Sequence, residues 1–87
     1  MHETLMAEQI VRTVLAEAEQ RGATAVRSVD VEVGALEGVP EAGLREAFAW
    51  AAQGTLLERA ELRVAVGQPR GLVIRRASLV LPDRPEP

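Results

Sequence analysis

Cysteine is absent from this sequence, which excludes disulfide scaffolds, zinc fingers, iron–sulfur clusters and thiol catalysis. Lysine is absent too. All ten cationic side chains are arginine, so P-loop and Schiff-base chemistry have no candidate. Phe48 and Trp50 are the sole aromatics, too few for the stacking platforms of single-strand binders. The net charge of -3 is the wrong sign for tracking phosphates, so no nucleic-acid partner is expected. No apolar run approaches the ~20 residues that span a bilayer, and no basic, signal-like segment opens the chain. The expectation is a soluble, unexported, cytoplasmic protein without a membrane partner.

What is present is globular. Eighty-seven residues with 47% hydrophobic and 26% charged side chains suffice for one small two-layer core. From about Thr4 to Arg21, Ala7, Ile10, Val11, Val14, Leu15 and Ala18 share one helical arc, with Glu8, Arg12 and Glu19 opposite. Leu5 points away from that arc, towards a frayed first turn or a contact surface. Val29, Val31 and Val33 then alternate with Ser28, Asp30 and Glu32, the pattern of a half-buried strand. After a turn-rich stretch, Pro40 suits the first position of a second helix, whose buried stripe is Leu44, Ala47, Phe48 and Ala51. Trp50 lies at the edge of that stripe, as a lid over the helix–sheet seam or as a hot spot for a partner.

Alternation returns over 60–66, with Leu62, Val64 and Val66 inward. Gly67-Gln68-Pro69-Arg70-Gly71 then reads as the turn of an antiparallel hairpin. The last strand slips phase between Leu72/Ile74 and Ala77/Leu79/Leu81, so a β-bulge is expected near Arg75-Arg76. The tail, 82–87, is proline-rich and expected to be disordered beside a single domain, 1–81. The order α-β-α-β-β predicts an α+β two-layer sandwich, with two helices packed on one face of a mixed three-stranded sheet. The first two strands should run parallel because a helix joins them.

The chemistry concentrates at the amino terminus. The one histidine is His2, and so bulky a second residue keeps Met1 in place. The Met1 amine and the His2 amide nitrogen close a five-membered chelate ring; the same amide and His2 Nδ1 close a six-membered one. Three coplanar nitrogens suit Ni²⁺ or Cu²⁺, with a fourth position left to Glu3, water or a partner's ligand. No nucleophile–base pair or second histidine accompanies them, and Asp30 and Glu32 read as sheet-surface carboxylates. No catalysis is expected.

The run Met1-His2-Glu3, Ala7-Glu8-Gln9-Ile10, Arg21-Gly22-Ala23, Val31-Glu32-Val33-Gly34, Leu36, Gly38-Val39, Leu44-Arg45, Ala47-Phe48 and Gly54-Thr55 resembles the HypA/HybF family of hydrogenase nickel-incorporation proteins. The resemblance implies a nickel metallochaperone that carries Ni²⁺ as cargo, with Met1, His2 and Glu3 as its metal site. It implies a nickel-handling GTPase and a nickel-enzyme precursor as partners. Three departures stand out. The family's zinc-binding insertion with two CxxC pairs is missing between Val66 and Leu72, so no zinc is expected. Pro40 stands where members often carry an acid, and Leu5 replaces a small polar residue. The competing expectation is a truncated paralogue that serves as a non-metal interaction or scaffold module through Leu5 and Trp50. The oligomeric state is open between a monomer and a pair joined along an uncovered edge strand.

Overall fold

The computed structural model describes residues 3–83. The chain forms α1 (Glu3–Gln20), β1 (Ala25–Gly34), a 3-10 turn (Ala35–Glu37), α2 (Glu41–Ala52), β2 (Glu61–Gly67) and β3 (Leu72–Val80). Both helices cover one face of a mixed three-stranded sheet, the predicted two-layer sandwich. Met6, Ala7, Ile10, Val11, Val14 and Ala18 form the buried stripe of α1, and Leu44, Phe48 and Ala52 that of α2. They pack on Val29, Val31, Val33 and Leu62. Gly22 ends the first helix at φ 70, a conformation that glycine adopts without a side-chain clash. Pro40 caps α2 with extended backbone (φ -70, ψ 136) and stands one residue before the helix rather than at its first position.

The strand order is β2-β1-β3. β1 runs parallel to β2, as the intervening helix requires, with Val29 opposite Leu62 and Val31 opposite Val64. It runs antiparallel to β3, with Val33 opposite Leu72 and Val29 opposite Ala77. The expected hairpin between the last two strands is therefore corrected: β2 and β3 flank β1 and never touch as neighbours. The reason lies in the register. β1 has β-branched residues opposite both partners, so the centre of the sheet goes to the strand with the most buried side chains. The connection at 68–71 crosses over the end of β1, held by Gly34 N–H to the Gly71 carbonyl (2.9 Å), Ala35 N–H to Gln68 (3.0 Å) and Leu36 N–H to Pro69 (2.8 Å).

The phase slip in β3 is a bulge. Val31 pairs with Ile74 but Asp30 with Arg76, so Arg75 is the extra residue. A second irregularity, at Arg27 on β1, restores Val26 to Leu79. At the outer side of β2, the Arg45 guanidinium of α2 donates to the Leu62 carbonyl, which caps part of that edge. Val66 shares the inward face of β2 yet is 73% exposed, because α2 covers only the beginning of that strand. The tail expected at 82–87 lies, beyond Asp83, outside the described residues.

Candidate metal centre

Of the three residues proposed for metal binding, Glu3 is described; Met1 and His2 lie outside the described residues. Glu3 opens α1, where a carboxylate suits the positive end of the helix. It sits against the first turn of α2. Its Oε1 lies 3.4 Å from the position that a Cβ on Gly43 would take, and Pro40 Cγ is equally close. Glu3, Thr4, Gly43, Glu46, Ala47 and Trp50 line a shallow hollow of about 250 Å³ at this point. The first turns of the two helices thus converge here, with the Glu3 carboxylate at ordinary contact distance from where a Cβ on Gly43 would stand. Among the described residues, no three His, Cys, Asp or Glu side chains gather into a metal cluster.

Pro40 stands beside this place, and the carboxylates on either side of it in sequence hold hydrogen bonds of their own. Glu41 accepts from Arg45 at 3.0 Å. Glu37 accepts the Gly71 backbone N–H at 2.5 Å, which ties the 3-10 turn to the crossing at 68–71. That hydrogen bond holds the Glu37 carboxyl below its ordinary value of 4.5, with the Arg70 charge adding in the same direction. Across the sheet, Arg75 bonds the Glu32 carboxylate at 2.9 Å and lowers its pKa likewise.

A depressed carboxylate pKa stabilises the fold above 4.5, and that stability is lost as pH falls through the lower folded value. Glu37→Gln should therefore lower the melting temperature at pH 7 and flatten its decline between about pH 5 and 3. Parallel acid melts by circular dichroism check this; curves that stay parallel to wild type would remove Glu37 from the acid response.

Sequence reasoning missed several residues of this region. Leu57 is fully buried in the turn before β2, where no periodicity marks it, and Met6 is fully buried beside the predicted arc. Trp50 is 69% exposed and lines a groove between α1 and α2 rather than the helix–sheet seam. The charged strand faces are paired: Arg63 bonds Glu61 at 3.1 Å and reaches Asp30 at 3.5 Å. Among the described residues, no helix is long and apolar enough to cross a membrane.

Comparison with known proteins follows the same outline. A family model described as hydrogenase/urease nickel incorporation, metallochaperone, HypA, matches residues 1–72. The hydrogenase maturation factor HypA of Chlorobaculum tepidum is 38% identical over 71 residues, which cover 82% of this chain and 63% of that protein. HypA of Archaeoglobus fulgidus is 42% identical over 66 residues (76% and 60%). HybF of Salmonella typhimurium is 39% identical over 64 residues (74% and 57%). The chain thus spans less than two thirds of the length of each of these relatives. The solution structure of the nickel metallochaperone HypA from Helicobacter pylori superposes with a TM-score of 0.81 at 12% identity, over 94% of this chain and 100% of that one, which shows a shared fold.

Proposed function

The chain belongs to the HypA family, and on that premise we propose that it is a nickel-binding metallochaperone module for the maturation of nickel enzymes of the hydrogenase type. The observation that carries this reading is a family match that begins at residue 1 and so includes Met1-His2-Glu3. The Met1 amine, the His2 amide and Nδ1, and Glu3 hold Ni²⁺ as transient cargo, weakly enough to pass it on. The position of Glu3 supports this, since its carboxylate lies at the start of α1 beside the small residue Gly43. Residues 1–81 act as one nickel-binding domain, in the cytoplasm, with a nickel-handling GTPase and a nickel-enzyme precursor as partners. The chain performs no catalysis of its own and takes no zinc, having no cysteine to build the family's CxxC site.

The test is calorimetric titration of the untagged protein with Ni²⁺, beside His2→Ala and a form acetylated at the Met1 amine. Both changes break the fused chelate rings, and both should weaken binding by about a hundredfold or more. Affinity should rise between about pH 5 and 8, as imidazole and the terminal amine shed their protons. Equal affinity in the three proteins would overturn the terminal chelate.

A further inference from the structure

β3 is an edge strand: β1 pairs with one side of it, and among the described residues no strand lies on the other. Its inward side chains Leu72, Ile74, Ala77 and Leu79 are accordingly only half-buried, while Val29, Val31 and Val33 of β1 are at most 4% exposed. The bulge adds to this. Arg75 has no register partner on β1, so the backbone there is not taken up by the existing ladder. Beside this stretch runs a hollow of about 490 Å³, between Val14, Glu17 and Arg21 of α1 and residues 74–77 of β3. The opposite edge of the sheet differs, since Arg45 already occupies the Leu62 carbonyl of β2.

The hollow is basic, in a chain whose net charge is -3. Three arginines, Arg21, Arg75 and Arg76, meet one carboxylate, Glu17, along its walls. Glu17 is bonded to Arg21 at 2.6 Å and Arg75 to Glu32 at 2.9 Å, whereas Arg76 makes no ion pair among the described residues. We propose that this edge binds an extended acidic segment of a partner protein, which adds a strand beside β3 and seats its apolar side chains on Ile74, Ala77 and Val14. Successive residues of an added strand point to opposite faces. Its apolar residues turn towards α1, and the acidic ones between them turn to the open face, where Arg76 stands opposite Asp30 and Arg75 reaches Glu32. A basic segment would meet like charge there. So would a second copy of this chain, because two β3 strands paired antiparallel about their midpoint set Arg76 against Arg76.

The probe is a peptide of alternating valine and aspartate, blocked at both ends and matched to β3 in length, titrated into the isotope-labelled full chain and followed by NMR. Saturable binding with a dissociation constant below about 1 mM is expected. The largest amide shifts should fall at 72–77 of β3 and 13–17 of α1, with slower hydrogen exchange at 74–77. The same peptide with lysine for aspartate should bind about tenfold more weakly or worse, and Arg76→Glu should weaken the acidic peptide by a similar factor. Methylating every peptide amide nitrogen keeps the charge but removes the ladder donors, and should also weaken binding about tenfold or more. Circular dichroism melts establish that Arg76→Glu, at an exposed position, remains folded, and the peptide comparisons need only the wild-type chain. Absence of binding up to about 1 mM would overturn the proposal. So would equal binding of the lysine peptide, a methylated peptide as good as its parent, or shifts centred on β2. None of these results depends on nickel.

Discussion

Gly34→Ala is expected to lower stability by about 3 kcal/mol, because a Cβ there has no space to occupy. It would stand 2.5 Å from the Arg70 Cα and 2.6 Å from the Arg70 carbonyl carbon, which are backbone atoms that no rotamer change can move aside. The strain is one of close approach and not of dihedral angle, since Gly34 has ordinary extended backbone (φ -64, ψ 137). To relieve the overlap the 68–71 crossing must lift, which lengthens its three hydrogen bonds to Gly34, Ala35 and Leu36 and pulls Gly71 from Glu37. In a domain of this size the loss corresponds to a fall in melting temperature of about 12–24 °C. Gly22→Ala is the matched control: it meets a positive φ but no neighbour within 4 Å, and should cost about 1 kcal/mol. Scanning calorimetry on the two variants decides the matter, and similar melting temperatures would mean that the crossing yields easily.

Phe48→Ala should be costlier still, at about 3–5 kcal/mol. Phe48 is 4% exposed and is the one aromatic side chain in the core, where α2 meets the sheet through small and medium residues. Ala47, Ala51 and Ala52 around it cannot expand to fill the space left behind, so most of the cavity term persists. Phe48→Leu keeps most of the volume and should cost about 1 kcal/mol, which separates lost packing from lost aromaticity. Urea titration of both variants measures the difference; a loss under about 1 kcal/mol for the alanine would mean that the helices close over the gap.

The helices, the strands, the parallel pairing of β1 with β2 and the bulge at Arg75 were all legible in the sequence. Each is written in short-range alternation, where a slip of one residue moves a side chain to the wrong face. The position of β3 was not. A five-residue glycine-bounded connection fits a hairpin equally well, and its bonding to the Gly34–Leu36 backbone leaves no mark in the side-chain pattern. Leu57 escaped notice for a related reason: it is buried by its place in a turn, and a turn has no periodicity. For the candidate site, the chelating order of Met1-His2-Glu3 could be read directly, because fused chelate rings follow from covalent order alone. The nearness of Glu3 to Gly43 could not, since it depends on two helices meeting after the sheet has formed.

The central place of β1 also sets a schedule for synthesis. Its pairing with β3 joins Ala25 to Val80, so one flank of the strand stays unzipped until residue 80 has left the ribosome. During that interval Val29, Val31 and Val33 can bond to β2 alone, and a nascent chain halted before Leu72 presents a bare, β-branched margin to other nascent chains. Docking of the nine-residue β3 is thus the step that covers this margin of β1.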